Sequence, residues 1–151
     1  MTDFQFRFAR VLNYRNHRRE VVRRLFAQVL AQRDALLARR SEVESNRRRQ
    51  LAQMRDRFGR GTVDVDGTAS RRFHAGQLTA DIAGLERQIQ LTDQQLHSCR
   101  DALSAAERDA QVLERLEEKQ RQEFQAGINR RNQLELEDAW QSARPQTTAN
   151  E

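Results

Sequence analysis

The chain has 151 residues, 37% hydrophobic and 32% charged, with one Pro and six Gly; that is too little apolar material for a thick globular core and points to an elongated helical protein with a narrow seam. No run approaches the roughly 18 apolar residues of a membrane span, and Met1-Thr2-Asp3-Phe4 lacks the layout of a signal peptide, so the chain reads as cytoplasmic. The net charge of +5 is uneven, with 15 Arg against 6 acids in residues 1–58 and 11 basic groups against 14 acids in residues 71–151, so two halves lying side by side attract each other, a reading that competes with nucleic-acid binding.

From Phe4, alternating steps of four and three give Phe4, Phe8, Val11, Arg15, Arg18, Val22, Leu25, Val29, Gln32, Leu36, Arg39 and Val43. The register then slips by one residue and resumes at Leu51, Met54 and Phe58. No Gly or Pro interrupts the run, and Glu20 to Arg24 and Glu44 to Arg48 are i,i+4 pairs in the favourable order. The pattern predicts a helix over about 6–58.

A break follows at 59–69, rich in Gly and Asp. Gly59 suits a left-handed helix end, and Asp66, Thr68 or Ser70 can cap the next helix. That second helix is expected over about 70–142. Its seam is Leu78, Ile82, Leu85, Ile89, Thr92, Leu96, Cys99, Leu103, Ala106, Ala110 and Leu113, apolar except for Thr92. A step held at 3.5 residues means the helix winds around a partner. If the chain folds back near Asp64, residue i lies opposite roughly 128 − i. Seam then faces seam, and Arg15, Arg18 and Arg19 come level with Glu114, Glu117 and Glu118. The reading is therefore all-α: residues 1–142 form a single antiparallel two-helix coiled-coil hairpin, and 143–151 form a disordered tail.

The second helix outlasts the first, since Phe4 falls opposite Phe124, which leaves Ile128, Leu134, Leu136 and Trp140 on an overhang suited to docking. Phe73 falls at an outward position near the tip, with Gln77 and Ala80 on its face. Catalytic and cofactor chemistry is missing from the pattern. His17, His74 and His97 have no second ligand at i+4, so no metal site is expected. Gly59-Arg60-Gly61 is not a phosphate loop, and Glu117-Glu118 belongs to a solvated helix face, where no cavity desolvates a carboxylate. Cys99, the single cysteine, reads as a small seam residue in a reducing compartment. An enzyme is not expected, and neither is a cofactor.

The opening Phe4-Gln5-Phe6-Arg7-Phe8-Ala9-Arg10-Val11-Leu12-Asn13-Tyr14-Arg15, with Glu20 following, resembles the start of the FliJ family of flagellar export proteins. Leu113-Glu114-Arg115-Leu116-Glu117-Glu118 and Arg131-Asn132-Gln133-Leu134-Glu135-Leu136-Glu137-Asp138 resemble its charged endings. The basic set, Arg apart from Lys119, and the Gly-rich tip depart from the family pattern. The resemblance implies a non-enzymatic coiled-coil stalk of the flagellar type III export apparatus, peripherally associated with the inner membrane. Its implied partners are a hexameric export ATPase ring, an export-gate membrane protein and export chaperones. It places the ring contact on Phe4, Phe6, Arg7, Arg10, Val11, Tyr14 and Arg15 of one helix and on Arg130, Arg131, Leu134, Glu135 and Asp138 of the other. The tip-side contact falls on Phe73, Gln77 and Ala80. Competing readings are the stalk of a virulence-type secretion system, a structural rod, and a nucleic-acid-binding coiled coil. Against the last, the Arg residues spread around the helix and no aromatic stacking platform appears. A monomer or weak dimer is expected.

Overall fold

The computed structural model describes residues 3–61 and 64–143. It holds two long helices that pack on each other as a hairpin, α1 (Ala9–Gly59) and α2 (Val65–Ala143), with no strand among the described residues. The tail expected over 143–151 lies, beyond Ala143, outside the described residues. The chain divides into two compact units, one formed by Glu20–Ala105 and the other by the two chain ends, up to Arg19 and from Ala106 onward.

The turn differs from the sequence expectation at both sides. α1 runs through Gly59, and the left-handed residue is Gly61, at φ 73°. Arg60 and Gly61 donate their amides to the carbonyls of Arg57 and Phe58, a tightened last turn. α2 starts at Val65 because Asp64 is its cap: its Oδ1 accepts from the Gly67 amide at 3.3 Å, and its carbonyl accepts from the Thr68 amide and hydroxyl at 3.0 and 2.7 Å. A Cβ on Gly67 would strike the Asp64 carboxylate, so the glycine makes room for the cap. Asp66, Thr68 and Ser70 fall inside the helix.

In the unit formed by Glu20–Ala105, Val43 packs with Leu78, Ile82 and Leu85. Each apolar side chain buried this way contributes roughly 1.5–3 kcal/mol of transfer free energy. Thr92, 3% exposed, fits the apolar seam because its hydroxyl donates to the Gln88 carbonyl at 2.8 Å. Arg33 donates to Asp93 at 2.6 Å and Arg40 to Glu86 at 2.8 Å, tying basic α1 to acidic α2. Glu44 is held by Arg47 and Arg48 on its own helix.

In the unit of chain ends, Phe6, Leu12 and Leu113 form the core, with Phe4 and Leu116 against it. Ala106 and Ala110 are buried, Ala110 completely. Arg19 pairs with Glu114 at 3.0 Å, as the charge match predicts, whereas Arg15 reaches the Asp109 carbonyl at 2.8 Å. Glu117 and Glu118 are taken instead by Arg121 and Gln122 on their own helix.

Along α2 every expected seam position is buried or half-buried. Along α1 half of them shift by one residue. The face toward α2 is Leu12, Arg15, Arg19, Val22, Phe26, Val29, Arg33, Leu36, Arg40, Val43, Arg47, Gln50 and Met54, while Val11, Arg18, Leu25, Gln32, Arg39, Leu51 and Phe58 are exposed. The four-three step runs unbroken through Val43, with no slip. The apolar residues of α1 come in adjacent doublets, Val11-Leu12, Val21-Val22, Leu25-Phe26 and Val29-Leu30, so periodicity alone fits two neighbouring faces. The chosen face buries Leu12 and half-buries Phe26, the larger members of two doublets, and brings Arg19, Arg33 and Arg40 to acids on α2.

Candidate partner-binding surfaces

The four-three step predicts the first helix from about residue 6, but residues 3–6 are non-helical and α1 begins only at Ala9, after a turn closed by the Ala9 amide on the Phe6 carbonyl at 3.2 Å. The reason is in the pattern Phe4-Gln5-Phe6-Arg7-Phe8, which alternates apolar and polar with the period of extended chain. In that conformation Phe4 and Phe6 both turn to α2. The Phe4 ring sits 5.7 Å from the Phe124 ring, and Phe6 is buried against the Leu12–Leu113 core. Phe4 lies eight residues before Leu12 while Phe124 lies eleven after Leu113. An extended residue covers about twice the rise of a helical one, so the short arm keeps pace with the longer stretch of α2.

The Arg121 guanidinium lies 5.7 Å from the Phe4 ring centroid, while its Nη2 donates to Glu117 at 3.0 Å. Below this clasp an open groove of about 910 Å³ runs along α2, lined by Asp3, Phe4 and Phe124 and continuing over Ile128, Arg131 and Glu135. Ile128 is half-buried there, so the overhang is in part covered by the arm.

The residues singled out from the sequence divide into two sets. Phe4 and Phe6 are spent largely on the unit's own packing, and Arg15 is half-buried on the Asp109 carbonyl. Arg7, Arg10, Val11 and Tyr14 are exposed, Arg7 with its guanidinium 5.7 Å from the Phe8 ring centroid. On α2, Arg130, Arg131, Leu134, Glu135 and Asp138 are all exposed. Both exposed sets belong to the same compact unit. At the other end of α2, Phe73 is 69% exposed, and Gln77 and Ala80 are exposed on its face. Arg121 is a contact the heptad pattern does not point to; its position three residues, one helical turn, before Phe124 is the only signal of it in the sequence.

Among the described residues no helix is long and apolar enough to cross a membrane, and no group of three or more His, Cys, Asp or Glu is placed to hold a metal ion. No curated protein and no solved structure matches the chain. The family described as "Flagellar FliJ protein" matches it over residues 4–144. With a hairpin of two long helices, an aromatic-basic opening and a match over nearly its whole length, the chain belongs to the FliJ family, non-catalytic stalk-type proteins of flagellar protein export.

Proposed function

We propose that the chain is the stalk of the flagellar export ATPase: its paired ends dock in the pore of a hexameric ring. On this reading it also binds the export-gate membrane protein through the tip-side face of Phe73, Gln77 and Ala80, escorts export chaperones, and works at the cytoplasmic side of the inner membrane. The observation that carries the ring contact is the Phe4–Phe124 clasp. It ties the first residues to the far part of α2, so that Arg7, Arg10, Val11 and Tyr14 and the set from Arg130 to Asp138 are exposed on one unit. Exposed Arg and Tyr beside single apolar groups are the composition of a docking surface, since a planar guanidinium binds carboxylates in two-point fashion and covers apolar area. Phe6 supports this surface from beneath, and Arg15 fixes the arm's helix to α2.

The test is capture of a hexameric ATPase from native lysate by the full chain and by a chain lacking residues 125–151. The shortened chain is expected to lose the ring while its circular dichroism remains helical. Capture with unchanged affinity refutes the assignment.

A further inference from the structure

The exposed surface of the overhang is charged in a self-complementary order. Leu134, 52% exposed, has Arg130 and Arg131 one turn before it and Glu137 and Asp138 one turn after it. Among the described residues none of these four charged side chains has an ion-pair partner within the chain. Residues seven apart lie on nearly the same helix face, so Arg130 shares one flank of Leu134 with Glu137, and Arg131 shares the other with Asp138. Gly127 and Gln141 extend the line through Leu134 by a further heptad on each side, and Gly127 has nothing within 4 Å of where a Cβ would be.

We propose that this face binds a second copy of the chain, overhang to overhang and antiparallel, about a two-fold axis at Leu134. Under that symmetry Leu134 meets Leu134 of the second copy. On one flank Arg131 meets Asp138 of the second copy, on the other Arg130 meets its Glu137, and the axis repeats both pairs. A parallel arrangement in register sets Arg against Arg and acid against acid, so the charge order selects the antiparallel one. The patch is one helix face of about two heptads, below the size of a stable interface, so the association is weak and salt-sensitive. It uses Arg130, Arg131, Leu134 and Asp138, the side chains given to the ATPase ring above, so the self-paired and ring-bound forms exclude each other; that consequence alone rests on the ring reading.

Sedimentation of the full chain without any ATPase tests the pairing separately from ring binding. The wild type is expected to shift from monomer to dimer with concentration in low salt and back in high salt. Arg130→Glu with Arg131→Glu, and Glu137→Arg with Asp138→Arg, each leave copies facing like charges and are expected to stay monomeric. An equimolar mixture of the two is expected to dimerise more tightly than the wild type. As a measurement independent of charge, Leu134→Cys in a Cys99→Ser background is expected to give a disulfide-linked dimer under mild oxidation, with Asn129→Cys, on another face, failing to do so. A wild type that stays monomeric throughout overturns the proposal, as does a dimer unmoved by either reversal or a cross-link equally efficient at both cysteines.

Discussion

Single side chains decide where the hairpin turns. Asp64 closes the first turn of α2 with both its side chain and its carbonyl, and removal of such a cap costs about 1 kcal/mol. Asp64→Ala is accordingly expected to lower the stability of the tip by that amount and to speed amide exchange at Gly67 and Thr68, read by hydrogen exchange. Equal exchange in both proteins would show that the cap is dispensable. Glu44 carries a pH dependence. Its partial burial raises the carboxyl pKa, but hydrogen bonds and charge from Arg47 and Arg48 outweigh burial and hold it below the usual carboxylate value. A group depressed in the folded state stabilises at pH values above its unfolded pKa and loses that contribution as pH falls through the folded one. The melting temperature of wild type should exceed that of Glu44→Gln at neutral pH, and the gap should close in acid. A gap that widens in acid contradicts the assignment.

At the scale of the element, α1 and α2 are held by unlike devices. α2 offers a continuous seam in which Ala106 and Ala110 are buried. Ala110 has no exposed surface, so Ala110→Leu inserts volume where there is none, and overpacking of this kind costs roughly 1–3 kcal/mol. Chemical denaturation is expected to show that loss, and a stabilised variant would mean that the seam holds spare room. The N-terminal arm is held by aromatic contact. Phe4 and Phe124 meet in a tilted arrangement, and such pairs couple by about 0.5–1.5 kcal/mol beyond the area they bury. A double-mutant cycle of Phe4→Ala and Phe124→Ala should return that coupling, and additive losses would place the two rings apart in solution. The arm's extended form was legible in its alternating phenylalanines, but a four-three step begun at Phe4 absorbs Phe4 and Phe8 into the helix pattern and passes over Phe6.

At the scale of the molecule, the separation of charge visible in the sequence becomes a bonding pattern. Three arginines of the basic first helix, Arg19, Arg33 and Arg40, reach acids of the second. Each pair is partly exposed and contributes about 0.2–1 kcal/mol, so their larger role is to fix register and face. Each of these arginines spends its guanidinium on an acid of the facing helix, so part of the basic charge of α1 is neutralised within the hairpin. In the unit of chain ends Arg7, Arg10, Arg130 and Arg131 stay exposed, and deleting residues 125–151 should separate ring capture from folding for that reason.

The sequence by itself determined the all-α class, the two helices, the turn near Asp64 and the whole seam of α2. These follow from local periodicity and from the order of charges, which need no knowledge of the partner surface. Only the tertiary structure decided which face of α1 is inward. Doublets such as Val11-Leu12 and Leu25-Phe26 satisfy two adjacent faces equally, and an arginine at a seam position reads as solvent-facing until its acid is located. The packing of Leu12, buried, and Phe26, half-buried, together with the reach of Arg19, Arg33 and Arg40 to α2 settles that choice, because side-chain size and charge partnership are properties of the packed pair and not of either helix alone.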